Sequence, residues 1–223
     1  TGFNFLYKTF QDLNNLTRQI TSQCYFCTLY NQERTHQVPL GLRQFVSKPG
    51  LCYHLDITPG LAGVKGKDAI ITFSCAHSRY TMAFACKSSI TGAQVAELIE
   101  ERIFAVVGPA DLSADNAKNL VHSREVAELL RKYNKKAIYS SPSIPKSHGM
   151  IEAKNRVLVQ SCKILSDYYQ TSWLNVLPVA VLTYNTHQHT SLRASPYSLF
   201  FGRVYEEQNF NVEGPPSGMG EQT

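Results

Sequence analysis

Long apolar runs are missing from this 223-residue sequence. None approaches the roughly 18–20 residues that a membrane-spanning helix requires, and the opening TGFNFLYKTF has no signal-peptide pattern. Neither a membrane nor a secreted protein is therefore expected. Charge is sparse as well: 17% of residues are charged against 43% hydrophobic, the balance of an ordinary globular protein. The 22 Lys and Arg exceed the 17 Asp and Glu to leave a net charge of +5. That mild excess suits a polyanionic partner without requiring one. A glycine-rich phosphate loop is absent, and no Ser or Cys stands with a nearby base as a nucleophile, which removes two common enzyme classes. Paired cysteines are scarce. Only Cys24 and Cys27 are close together, while Cys52, Cys75, Cys86 and Cys162 fall in apolar or periodic segments. Buried thiols in a reducing compartment are expected, not a disulfide framework.

What is present reads as one sizeable core with appendages. TFQDLNNLTRQITSQ (9–23) spaces apolar residues as a short amphipathic helix, and polar residues 31–50, with Pro39, Gly41, Pro49 and Gly50, read as a linker. LCYHLDIT, KDAIITFSC and RYTMAFAC predict three strands of an antiparallel meander. The period then changes. TGAQVAELIEERIFAVVG predicts a helix capped by Thr91 and closed at Gly108. PADLSAD predicts a short strand, SREVAELLRKYN a helix and KKAIYSS another strand, and helices are predicted over about 148–168 and 172–186. Three strands followed by alternating helices and strands describe an α/β fold, a mixed five-stranded sheet with helices on both faces. No internal repeat is visible, and the turn-rich tail from 204 to 223 is expected to be mobile.

In an open α/β sheet, ligands collect at the carboxyl ends of strands. Asp56 lies within the first strand and Asp115 ends DLSAD. A strand-end Asp is commonly a turn former, but Asp56 interrupts an apolar strand, where a carboxylate must be paired or hold a metal. Glu152 opens the helix that follows SSPSIPKSHG. If that helix starts near 148, its apolar stripe is Ile151, Leu158, Ser161 and Leu165, beside Met150, Val157 and Ile164. Glu152 then points away from the stripe with Asn155, Arg156 and Lys163, which alone describes a solvated polar face. Brought together, the three carboxylates would form an oxygen site for Mg²⁺ or Mn²⁺. Trp173, Leu177 and Leu182 read as core. His187 and His189 read as a polar loop.

HLDIT, SADNAKNL, SSPSIPKSHGMIEAKNR, WLNVLPVAVLTYNTHQHTSLRASPYSLFFGR and the upstream Cys-x-x-Cys, in unbroken order over roughly 9–203, together resemble a retroelement integrase. The resemblance is to LTR-retrotransposon and retroviral enzymes of the Ty3/gypsy kind. It implies an RNase H-like core with catalytic, metal-binding Asp56, Asp115 and Glu152, separated in the last pair by 36 residues. It further implies a two-metal Mg²⁺ or Mn²⁺ site that processes a 3′ DNA end and transfers it to target DNA. The resemblance also implies that SPSIPKSHG, residues 141–149, is the family's flexible active-site loop. DNA contacts are implied at Asn116, Lys146, Ser147, His148, Lys154, Asn155 and Arg156.

By the same resemblance, residues 1–30 are the remnant of an HHCC-type zinc-binding domain, 31–50 a linker, 51–203 the catalytic core and 204–223 a tail. Cys24 and Cys27 would be half of a zinc site. No His precedes them, so Zn²⁺ is expected only in a longer chain. Retroelement ends and target DNA are the implied partners. A homodimer or tetramer is implied too, in the nucleus or a cytoplasmic nucleoprotein particle. The chain departs from the family at Ala117, where Asp-Asn-Gly is usual, at Ala153, where Arg is common, and through much of SPSIPKSHG. Two other readings stay open: a domesticated or decayed integrase that binds DNA without catalysis, and a cellular RNase H-like nuclease, which LRASPYSLFFGR disfavours.

Overall fold

The computed structural model describes residue 19 and residues 48–114, 118–139, 148–189 and 192–206, with the side chains at 118, 119, 139 and 148–153 left aside. Apart from helical Gln19, the expected helix at 9–23, the Cys24–Cys27 pair and nearly all of the linker lie outside these residues. Asp115, Asn116, Ala117, Lys146, Ser147 and the tail beyond 206 lie outside them too.

Five strands are present among the described residues: β1 Cys52–Val64, β2 Lys67–Cys75, β3 Thr81–Cys86, β4 Asp111–Ala114 and β5 Ala137–Tyr139. They lie in the order β3-β2-β1-β4-β5. β1, β2 and β3 pair antiparallel, whereas β4 and β5 run parallel to β1. The meander is where short turns were predicted, and the parallel strands follow helical crossovers, as parallel pairing requires. β1 runs past its predicted end, through an irregularity between Pro59 and Val64.

Helices cover both faces. α1 (Gly92–Leu98) continues through a π-helical stretch, Ile99–Phe104, into α2 (Ala105–Val107). Thr91 caps it with Gln94 in a reciprocal capping box, and Gly108 ends it at φ 88°, a conformation that favours glycine. α3 (Lys118–Val121) and α4 (Arg124–Lys132) precede β5. On this side Val95, Ile99, Ile103, Val126 and Leu129 pack with Tyr53, Leu55, Ile71 and Phe73 of the sheet.

The opposite face carries α5 (His148–Tyr168) and α6 (Trp173–Thr186), followed by α7 (Pro196–Phe201). Its core joins Leu61 and Ile70 to Cys162, Trp173, Val176, Leu177 and Ala180. The indole N–H of Trp173 donates to the Ala62 carbonyl at 2.8 Å, tying α6 to β1. Cys52, Cys75, Cys86 and Cys162 are buried free thiols, as expected. Among the described residues, no helix is long and apolar enough to cross a membrane.

Two helix faces differ from the expectation. Leu177 is buried but Leu182 is 38% exposed, together with Val179. The inward line of α6 runs through Trp173, Val176, Leu177 and Ala180, which turns position 182 outward. In α5, Leu158 is buried but Val157 is exposed, and the buried line is Lys154, Leu158, Cys162 at a spacing of four. Leu177→Ala should therefore cost about 2–4 kcal/mol and Leu182→Ala under about 1 kcal/mol in urea unfolding. Equal losses would return Leu182 to the core.

Candidate functional site

Side chains alternate across the sheet. One face of β1 and β2 presents Tyr53, Leu55, Ile71 and Phe73 to the first core. The other presents His54 and Asp56 on β1 and Ile70, Thr72 and Ser74 on β2. Its apolar end, at Ile70, lies under α6. Further along, the same face turns polar while remaining buried.

Asp56 is 5% exposed and pairs with Thr72 in the β1–β2 register. Its Oδ1 accepts from the Ile57 backbone N–H at 2.9 Å, and its Oδ2 accepts from the side-chain amide of Asn155 on α5. The Asn155 carbonyl oxygen accepts in turn from the Thr72 hydroxyl at 3.4 Å. Lys154, 6% exposed, donates to Ser74 Oγ at 2.6 Å and Thr72 Oγ1 at 3.2 Å. Ser74 Oγ lies 2.9 Å from Thr81 Oγ1 on β3. The Thr81 backbone then exchanges two hydrogen bonds, of 2.9 and 2.8 Å, with the Asn185 side chain of α6. A polar chain thus crosses three strands and joins both helices of this face. Satisfied networks of this kind rigidify, since each member left unpaired would be costly.

Lys154 and Asn155 were both expected as DNA contacts. Both are buried and bonded within the protein. The predicted phase of α5 put Asn155 on a solvated face because Ile151 was taken as the start of the apolar stripe. The real inward line instead places a lysine where an apolar residue is usual. Arg156 and Lys163 are exposed, as the polar-face reading expects. Thr72, Ser74, Thr81 and Asn185 were missed altogether. The available signal was the alternation in KDAIITFSC, where positions 70, 72 and 74 run Ile, Thr, Ser along a single face.

Of the other two carboxylates, Asp115 lies outside the described residues and Glu152 is located only by its place in α5. The parallel β1–β4 register ends at Leu55↔Ala114, and Asp56 and Asp115 are the next residue of each chain segment. Glu152 is in the first turns of α5, three residues before Asn155, and its side chain and that of His148 are outside the described set. No group of three or more His, Cys, Asp or Glu suited to a metal occurs among the described residues. Among the histidines read as loop, His189 Nε2 lies 3.0 Å from the Tyr184 carbonyl, and its backbone bridges to Ala194.

No family model matches the chain. Two Schizosaccharomyces pombe proteins, the Transposon Tf2-3 and Tf2-4 polyproteins, are each 22% identical over 195 residues, 86% of this chain. The chain spans 14% of the length of these relatives. Among solved structures, a simian T-cell lymphotropic virus intasome in complex with the PP2A regulatory subunit B56 gamma matches at TM-score 0.61 and 20% identity, covering 94% of this chain and 72% of that one. The HTLV-2 integrase catalytic core domain in complex with magnesium, in a trimeric form, matches at TM-score 0.55 and 16% identity, covering 69% and 98%. The likeness is to a retroelement integrase. The mixed five-stranded sheet and its helices have the RNase H-like fold of the integrase catalytic core.

Burial pushes the Lys154 ammonium down to about 8, with the charge of Asp56 opposing the shift. An unfolded Lys titrates near 10.4, so between about pH 8 and 10.4 the unfolded chain binds more protons than the folded one. Stability from this group rises with pH through that window. Burial raises Cys52, Cys86 and Cys162 to about 11, which works in the opposite direction. The comparison must therefore be with Lys154→Met. Wild type should gain up to about 3 kcal/mol on that variant between pH 7.5 and 10 in chemical unfolding. A constant difference would contradict the burial of a charged Lys154.

Proposed function

We propose that the chain is the catalytic core of a retroelement integrase, performing metal-dependent polynucleotidyl transfer with Asp56, Asp115 and Glu152. The observation that carries this reading is the hydrogen bond between Asp56 and Asn155. It fixes a buried strand carboxylate against the helix whose first turns hold Glu152. The β1–β4 register supports it from the other side, since it stops one residue short of both aspartates.

The Ile57 backbone N–H and the Asn155 amide each donate to one oxygen of the Asp56 carboxylate. An oxygen donor anchored this way suits Mg²⁺ or Mn²⁺, as does a ligand set of three carboxylates. The magnesium complex of the HTLV-2 core is in keeping with divalent metal use. Asp56, Asp115 and Glu152 would hold the metal, which when bound supplies activation of a hydroxyl nucleophile and stabilisation of the leaving 3′ oxygen. Asn155 keeps Asp56 in one rotamer through an amide that is itself held by Thr72. Exposed Arg156, the next residue along α5, offers a bidentate donor to a DNA phosphate.

In this reading Lys146, Ser147, His148 and Asn116 also face DNA, retroelement ends and target DNA are the substrates, and the protein self-associates as a dimer or tetramer. Residues 1–30 belong to a zinc-binding module. Cys24 and Cys27 would supply two ligands of its Zn²⁺ site, and the protein works in the nucleus or a cytoplasmic nucleoprotein particle.

The test is a branched DNA substrate that mimics the strand-transfer product, assayed with Mn²⁺. Wild type should resolve it, and Asp56→Asn and Asp115→Asn should each lower the rate by at least about 100-fold while leaving DNA affinity within about twofold. Wild type as inert as the variants, with DNA binding intact, would replace the enzyme reading with that of a DNA-binding relic.

A further inference from the structure

Lys154 is the anomaly of this face. It occupies the inward line of α5, four residues before Leu158 and eight before Cys162, and is 6% exposed. Its hydrogen-bond partners at Ser74 and Thr72 are neutral hydroxyls. An ammonium in such a place is tolerated only when an opposite charge compensates it nearby. Among the described residues, the carboxylate in the same buried network is that of Asp56, which pairs with Thr72 in the strand register and is itself 5% exposed, facing the same problem with the opposite sign. The two are linked through Thr72, which accepts from Lys154 and donates toward both the Asn155 side chain and the Asp56 carbonyl.

We propose that Lys154 is a built-in counter-cation of the Asp56 carboxylate, a positioning residue that steadies the acidic site without metal and opposes the charge of a divalent ion that binds there. The second half rests on the metal-site reading above. The first half does not. A positive charge buried on the same face as Asp56 offsets part of the cost of holding that carboxylate out of water in the metal-free protein. The same charge repels an incoming cation, which makes the site more selective for ions that several carboxylates can hold at once.

The test uses the full chain in two assays. The first is a double-mutant cycle of Asp56→Asn and Lys154→Met, followed by thermal unfolding in EDTA. Asp56→Asn alone should lower Tm by about 5 °C or more, because it strands a buried ammonium, whereas in the Lys154→Met background it should lower Tm by less than half as much. Equal losses in both backgrounds overturn the counter-cation. The second assay is Mn²⁺ titration followed by electron paramagnetic resonance. Lys154→Gln, which keeps donors but removes the charge, should bind Mn²⁺ about tenfold more tightly than wild type. Unchanged or weaker binding overturns the opposition to metal. If wild type binds no Mn²⁺, the metal-site reading fails, while the cycle in EDTA still decides whether Lys154 counters Asp56.

Discussion

A carboxylate held inside a sheet needs partners, and much of this protein's second face is organised by that need. Asp56 sits where an apolar strand residue would cost nothing. Around it the sheet supplies Thr72, Ser74 and Thr81, and the helices supply Asn155, Lys154 and Asn185. Each is buried, and each is bonded to another member of the set. The apolar core on the same face, built around Ile70, Cys162, Trp173 and Leu177, anchors the helices that bring the last three to the sheet. Packing and polar pairing thus share one geometry: the helix that seals the core also delivers the amide that fixes Asp56.

Secondary structure was largely legible because local signals and tertiary demands agree. Alternation in KDAIITFSC and TMAFAC, the capping box at Thr91 and the glycine at 108 point the same way as the final sheet and helices. Helix phase was harder to read. In α5 the residues from Val157 to Leu165 are apolar on more than one side, so periodicity admits several inward lines. The line that burial selects begins at a lysine. Pattern reading discards such a line, because it takes lysine for a marker of solvent. Leu182 was misjudged for the converse reason, being an apolar residue on the outer side of a helix apolar nearly all round.

For the site itself, Asp56 was legible as a charge in the wrong surroundings, which is a physical signal even in a single chain. Its supporting shell was not. Thr and Ser in strands are too common to stand out, and only the β1–β2–β3 register shows that Thr72, Ser74 and Thr81 belong to one face. The fold likeness to integrase cores and the Tf2 relatives covers 69% to 94% of the chain at 16–22% identity. At that distance the fold carries over, while a role for any residue has to be argued from its own surroundings. Lys154 shows why, since a residue expected to contact DNA is buried here and bonded to Ser74 and Thr72.

The central claim is that Asp56, fixed by Asn155, is one wall of a three-carboxylate metal site shared with Asp115 and Glu152. A crystal of the full chain grown or soaked with Mn²⁺ tests it directly through anomalous scattering. The account predicts a peak ligated by an Asp56 carboxylate oxygen together with Asp115 or Glu152, at about 2.0–2.3 Å, with Asn155 still donating to Asp56. Mn²⁺ ordered elsewhere, or Asp115 and Glu152 directed away from Asp56 at saturating metal, would contradict it.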